Sequence, residues 1–228
     1  MPEARTIWIV SKYISAAQHG FESRLFAIAR EMKAAGRIPV IIASDSNHLG
    51  TFPRFGKLYT REVIDGCETW WIRTLKYSTT ASLRRVLSWF DFEFKLLMMP
   101  KTLLPKPDVI VVSSLSLLTV LNGLLLRRKY RCKLVFEVRD IWPLTMVEEG
   151  GYGRYNPFVV LLAWIERLGY RKADCVVGTM PNLAEHVANV TGASIRCECI
   201  PLGFDPAFFD RQQPPDRFTI QHLVREEE

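Results

Sequence analysis

The residues best suited to chemistry lie in two short stretches. Arg139-Asp140-Ile141-Trp142-Pro143 follows the apolar run Lys133 to Val138 (KLVFEV), and Glu148-Glu149-Gly150-Gly151 comes soon after. A charged pair leaving a buried strand is costly unless it is paired or used. Asp140 could orient or deprotonate a substrate hydroxyl, with Arg139 or Trp142 shaping the pocket. Equally, Arg139 and Asp140 could pair with each other or cap the next turn. The second stretch follows the first apolar run of the chain. There Ser11-Lys12-Tyr13 leads to Gln18-His19-Gly20, then to Glu22 and Arg24. A helix start near Gly20 could offer backbone N–H groups to an anion, or Gly20 could simply make a tight turn. His19 could face either solvent or a ligand.

What is missing narrows the chemistry. There is no G-x-G-x-x-G after the first strand, and a dinucleotide pyrophosphate needs such glycines to approach the backbone, which argues against an NAD(P) enzyme. No G-x-x-x-x-G-K-[ST] occurs, which argues against a P-loop NTPase. The five cysteines (Cys67, Cys132, Cys175, Cys197, Cys199) are an odd number in a chain too long to need disulfide staples, and they read as reduced thiols. Cys197 and Cys199 share one face of a strand, but two thiols without nearby His make a poor metal site. No metal and no cofactor is expected.

These residues need elements to position them. Thr6 to Ser11 reads as a strand covered on both faces, followed by a helix from Phe21 to Ala35 with Leu25, Ile28, Ala29 and Met32 on one stripe, stopped by Gly36. Ile38 to Ala43 is the next strand, so the chain opens β–α–β with parallel neighbours. Leu58 to Val63 and Glu68 to Arg73 flank Asp65-Gly66, a hairpin dipeptide. Helices are expected at Ser82 to Met99, at Leu117 to Arg128, from Asn156-Pro157 with Phe158, Leu161, Leu162, Ile165 and Leu168 inward, and at Pro181 to Val190. Strands are expected at Asp108 to Val112, Lys133 to Val138, Asp174 to Gly178 and Glu198 to Ile200. This alternation predicts an α/β, doubly wound, mostly parallel Rossmann-like sheet. Ligands then bind outside the carboxyl ends of the strands, where both stretches lie.

Composition fits that reading. With 228 residues, 48% hydrophobic and 24% charged, the chain is globular and can bury a sizeable core. The expected organisation is one domain over 1–205 and a linker or tail over 206–228. The net charge of +6 is uneven: the tail carries −2 and the body +8, which favours an anionic partner. No apolar run approaches about 18 residues and no secretory signal opens the chain, so a cytoplasmic location is expected. Ser82 to Pro107 is apolar around most of its helical wheel, with a polar stripe of Arg84, Ser88, Asp91 and Lys95 and a net charge of +3. It is either an interfacial membrane helix with flanking cations or a helix buried on two sides. The cations Arg127, Arg128, Lys129, Arg131 and Lys133 close the next helix, as the helix dipole favours.

Phe136-Glu137-Val138-Arg139-Asp140-Ile141-Trp142-Pro143 resembles the strand-plus-"RD-W-P" signature of family 4 glycosyltransferases that build bacterial surface polysaccharides. Ala173 to Val177, Met180-Pro181-Asn182-Leu183 and Ile200-Pro201-Leu202-Gly203-Phe204-Asp205 are similar to successive landmarks of that family. The resemblance covers residues 6–205 and implies the amino-terminal, acceptor-binding half of a GT-B enzyme. It implies a retaining transfer of sugar from a nucleotide-sugar donor to an acceptor, with the donor held mostly by a second domain. Asp140 then matches the acceptor-side polar residue and is the catalytic candidate. Gly20 matches the first-loop glycine beside the donor phosphates, with His19 and Arg24 near it. Arg139, Trp142 and Glu148 line the acceptor cleft.

The chain departs from the family pattern at three points. Gln18-His19-Gly20 replaces a glycine pair, Leu202 stands where Asn is usual, and no glutamate pair spaced eight apart is present. The last departure implies an absent donor-binding domain, without which the chain would be inactive. The basic body and Ser82 to Pro107 fit a polyprenyl-phosphate-linked glycan acceptor at the inner face of the plasma membrane. The alternatives are a membrane-associated scaffold subunit that recruits a separate donor-binding chain, and a dinucleotide-binding oxidoreductase. No nucleic-acid partner is expected, since the aromatics cluster with apolar residues and not with basic ones.

Overall fold

In the computed structural model of the protein, residues 4–46, 51–52, 55–77 and 83–203 are described. The tail over 206–228, the Phe204-Asp205 landmark and the expected helix start at Ser82 lie outside them. Eight strands form one sheet: β1 Thr6–Val10, β2 Ile38–Ser44, β3 Tyr59–Ile64, β4 Cys67–Ile72, β5 Val109–Ser113, β6 Lys133–Val138, β7 Cys175–Gly178 and β8 Cys197–Cys199. Among the described residues six α-helices accompany them: α1 Arg24–Ala34, α2 Leu83–Met98, α3 Thr119–Tyr130, α4 Leu144–Glu148, α5 Pro157–Lys172 and α6 Leu183–Thr191.

The strand order is β3-β4-β2-β1-β5-β6-β7-β8. All neighbours are parallel except β3 and β4, which form the expected hairpin. Ile64 pairs with Cys67 across it, and Asp65 and Gly66 both take positive φ (49° and 73°), the conformation that matches hairpin twist. The chain winds outward from β1 through β2 to β4, then returns to place β5 on the other side of β1. The switch point of the sheet therefore lies between β1 and β5, where a doubly wound fold opens its binding crevice.

Alternation along the strands divides the core in two. Trp8, Val10, Val40, Ile42, Val112, Phe136 and Val138 face α2, α3, α5 and α6. Ile7, Ile9, Ile41, Ala43 and Trp71 face α1. Buried on both sides, β1 and β2 read as continuous apolar runs.

Several helix faces differ from expectation. α1 begins at Arg24, leaves Phe21 exposed, and buries Leu25, Phe26 and Ala29, while Ile28 and Met32 are only half-buried. α3 begins at Thr119 because Ser114–Ser116 first make a 3-10 turn. α5 buries Val159, Leu162, Ile165, Glu166, Gly169 and Tyr170, and Leu161 stays exposed. The cause is Gly169: a Cβ there would sit 3.0 Å from both Phe136 and Val120, so the helix meets the sheet on its glycine side.

α2 differs most. Of its polar stripe only Arg84 faces solvent: Ser88 is buried, and Asp91 and Lys95 pair at 2.7 Å and hold the chain leaving β4. Asp91 accepts from the Leu75 N–H at 2.9 Å, and Lys95 Nζ donates to the Arg73 carbonyl at 2.9 Å. Trp89, Phe92, Leu96 and Met99 pack inward, and the apolar residues left over face outward.

Candidate functional site

The carboxyl ends of β1, β5 and β6 meet beside the switch point, and both chemically suited stretches leave from there. Beyond β6, the Ser114 hydroxyl fixes the backbone: it accepts from the N–H groups of Arg139 (2.9 Å) and Asp140 (3.2 Å) and lies 3.0 Å from the Asp140 carbonyl, to which it donates. A hydroxyl held by three main-chain groups sets the direction in which residue 140 points. The Asp140 side chain is exposed. Among the described residues it makes no ion pair with Arg139 and no hydrogen bond through its carboxylate, so its oxygens are available to accept from a ligand hydroxyl.

Trp142 is drawn back over the site. Its ring meets Trp89 of α2 edge-on at 5.9 Å. Trp89 Nε1 in turn donates to the Tyr13 hydroxyl at 2.6 Å, and Arg85 Nε reaches the same hydroxyl at 3.4 Å. The Arg85 guanidinium lies over the Trp89 ring at 5.6 Å. Trp142, half-buried in the loop after β6, is thus backed by an aromatic wall of Trp89 from α2 and Tyr13 from the loop after β1, which are themselves buried (7% and 2% exposed). The indole Nε1 of Trp142 is buried and, among the described residues, has no hydrogen-bond partner. The part of the Trp142 ring left open suits the C–H face of a sugar ring.

Lys12 underlies this wall with no exposed surface. Its Nζ donates to the Ser46 carbonyl at 2.6 Å and lies 4.9 Å and 5.1 Å from the ring centres of Tyr13 and Tyr77. Burial, and then the charge of Arg85, push its ammonium down to about 7.

The other candidates lie elsewhere. His19 sits in a 3-10 turn, Ala17–His19, and is buried against Phe52 and Trp71, with Nε2 3.6 Å from Glu62 on β3. It packs into the α1-side core at the β3–β4 end of the sheet. Gly20 has φ of 106° with open space where a Cβ would stand, and its N–H donates to the Ala17 carbonyl at 3.0 Å, so it closes a turn and does not start a helix. Arg24 pairs with buried Glu137 at 3.3 Å and donates to the carbonyls of Ile200 and Pro201, both at 2.9 Å. Glu148 is exposed at the end of α4. The structure therefore brings Asp140, Arg139 and Trp142 together and sets His19 and Arg24 apart in other contacts.

Sequence reasoning missed Tyr13, Arg85, Trp89 and Ser114. Tyr13 was legible as a residue just past β1, but Trp89 and Arg85 come from a helix whose docking no spacing reveals. Among the described residues, no group of three or more His, Cys, Asp or Glu could hold a metal ion.

An eight-stranded, mostly parallel sheet with its crevice at this switch point is one half of a GT-B glycosyltransferase architecture. The chain belongs to the glycosyl transferase 4-like domain family, whose profile matches residues 19–203. It is similar to a solved sucrose-phosphate synthase from Thermosynechococcus elongatus (TM-score 0.63, 16% identity), with 88% of this chain covering 49% of that one. A second sucrose-phosphate synthase structure from the same organism matches at TM-score 0.50 and 15% identity, covering 97% of this chain and 98% of that chain. This chain thus spans about half the length of the first of these. No curated protein matches the sequence. At such identities the likeness is one of fold, and together with the family it makes this a glycosyltransferase-type domain.

Proposed function

We propose that this domain holds the acceptor in a retaining glycosyltransferase that moves a sugar from a nucleotide donor onto a membrane-linked glycan in polysaccharide biosynthesis. The observation that carries the proposal is the half-buried Trp142 ring, backed by buried Trp89 and Tyr13, close in the chain to the exposed carboxylate of Asp140, which has no partner among the described residues. Trp142 stacks on the acceptor ring, and Asp140 accepts the hydrogen bond of the attacking hydroxyl and orients it or takes its proton. Ser114 holds the residue in place. A second domain, across the crevice, supplies most of the contacts to the nucleotide sugar, with the Gly20 turn bordering its phosphates as the resemblance implies. The retaining course comes from the resemblance to surface-polysaccharide enzymes, and the basic body with the Ser82 to Pro107 segment supports a polyprenyl-phosphate-linked acceptor. The basic body, +8 over the residues before the tail, supports an anionic acceptor at the inner face of the plasma membrane.

The test joins this domain to a donor-binding half and follows sugar transfer. Asp140→Ala in the joined enzyme is expected to lower kcat by about 100-fold or more, the range for losing a general base, while folding is unchanged because the side chain is exposed. Full turnover by that variant would remove Asp140 from the mechanism.

A further inference from the structure

The outward face of α2 is apolar. Leu87, Phe90, Phe94, Leu97 and Met98 recur at helical spacing and are each between 47% and 64% exposed. Phe90, Phe94 and Leu97 face Leu118, Leu121 and Leu125 of the α3 segment across a groove of about 300 Å³. Contiguous apolar surface of this kind is uncommon on a protein that meets only water.

The charge around this face has one sign. Of the six cations of α2 and α3, Arg85 lies over Trp89, Lys95 pairs with Asp91 and Arg127 with Asp174, which leaves Arg84, Arg128 and Lys129 at the surface; the two acids of these helices are Asp91 and Glu93. Both acids are engaged: Asp91 by Lys95, and Glu93, on the groove floor, by Thr119 (2.5 Å), Asn122 (2.7 Å) and Ser116 (3.3 Å). At the far end, Lys101 caps the carbonyls of Leu96 and Leu97 and lies close enough to Lys129 to feel its charge. Arg84, Lys106, Arg128, Lys129 and Arg131 are exposed around the apolar stripe.

We infer that the α2–α3 face is the docking surface for an anionic bilayer. α2 lies in the plane of the interface, with Phe90, Phe94, Leu97 and Met98 at the acyl boundary and the flanking cations on lipid phosphates. Apolar side chains ringed by cations are complementary to such a surface in both chemistry and charge. An aqueous protein partner would need no such ring. The inference rests on the membrane-linked acceptor proposed above and gives that acceptor a fixed approach: α2 presents Trp89 to the aromatic wall from one side and Phe90 to the lipid from the other.

The experiment is flotation of the full chain with vesicles of phosphatidylcholine alone or mixed with phosphatidylglycerol, at low and high salt. Binding is expected only with the anionic vesicles and is expected to weaken at high salt. A Phe94→Ser/Leu97→Ser double variant should lose flotation while its melting temperature stays within a few degrees of the parent's, since both side chains are exposed. Arg128→Glu/Lys129→Glu should reduce binding to the anionic vesicles by about tenfold or more. Absence of flotation at low salt overturns the inference, as does undiminished flotation of the Phe94→Ser/Leu97→Ser variant. Concentration-dependent self-association abolished by that variant, without vesicle binding, would reassign the face to a second copy of the chain. Sugar transfer to a soluble acceptor by the joined enzyme is read separately, so loss of lipid binding with transfer intact would leave the acceptor-binding role standing.

Discussion

Glu93 is an acid placed where an apolar residue would be expected. Burial in the α2–α3 groove pushes its carboxyl up from 4.5 to about 7, against the opposing hydrogen bonds from Thr119, Asn122 and Ser116. The folded state thus holds a proton that the unfolded chain has already released at neutral pH. The stability that accompanies protonation is full below 4.5 and is lost as pH rises through about 7. Glu93→Gln keeps the shape and removes the titration. The variant is expected to melt roughly 2–4 °C above the parent at pH 8 and close to it near pH 5. Parallel melting profiles for the two proteins across that range would show that the carboxyl does not titrate there. Lys12, close enough for Glu93 to feel its charge, is the counterpart, a cation whose charge burial opposes. Neither feature follows from composition, because both depend on which helix covers the residue.

At the scale of elements, small residues decide how closely the helices approach the sheet. Gly123 of α3 lies so near β5 and β6 that an added Cβ would stand 2.8 Å from Val112 Cγ1 and 3.1 Å from Leu134 Cδ1. Val112 is β-branched and buried, with little room to turn aside. Gly123→Ala gains up to about 1 kcal/mol in helix propensity but must push the helix off the sheet, at about 1–3 kcal/mol for overpacking. Urea unfolding should therefore show a net loss of stability, and an unchanged or higher midpoint would mean that the contact relaxes freely. Gly169 acts alike between α3, α5 and β6, and it explains why the stripe expected on α5 is rotated. The periodicity of Leu161, Leu162, Ile165 and Leu168 was legible as helical. Which side of that helix faced the sheet was not, because glycine has no hydrophobicity to weigh yet controls the distance of closest approach.

Across the whole molecule, Arg24 links parts that are far apart in the chain. It stands at the start of α1, pairs with Glu137 at the end of β6 and grips the two carbonyls just past β8. Glu137 is only 3% exposed, and its second oxygen has no hydrogen-bond partner, so the pair lies in a poorly solvated place. Arg24→Met would leave a buried carboxylate uncompensated and is expected to cost about 3–5 kcal/mol. Adding Glu137→Gln should recover most of that loss, and proteolysis near Ile200 should increase in both variants. If the double variant is as unstable as the single one, the charge is not the cause. The chain leaves the sheet at Ile200–Pro201, so this contact ties that exit to α1 and β6. The alternation of strands and helices made the α/β, mostly parallel fold readable in advance. The Arg24–Glu137 contact joins residues 113 positions apart and left no mark in the local pattern.

By itself, the sequence determined the order and type of the elements, the Asp65-Gly66 hairpin, and the placement of Asp140 and Trp142 past the end of a buried strand. Those are consequences of hydrophobic period and turn chemistry, which act over a few residues. Only the tertiary structure decided that Trp89 and Tyr13 join Trp142, that His19 packs into the core beneath Phe52, and that α2 turns its phenylalanines outward. Each of these depends on which surface a helix spends on the sheet, a choice made by close packing between residues that are distant in the chain.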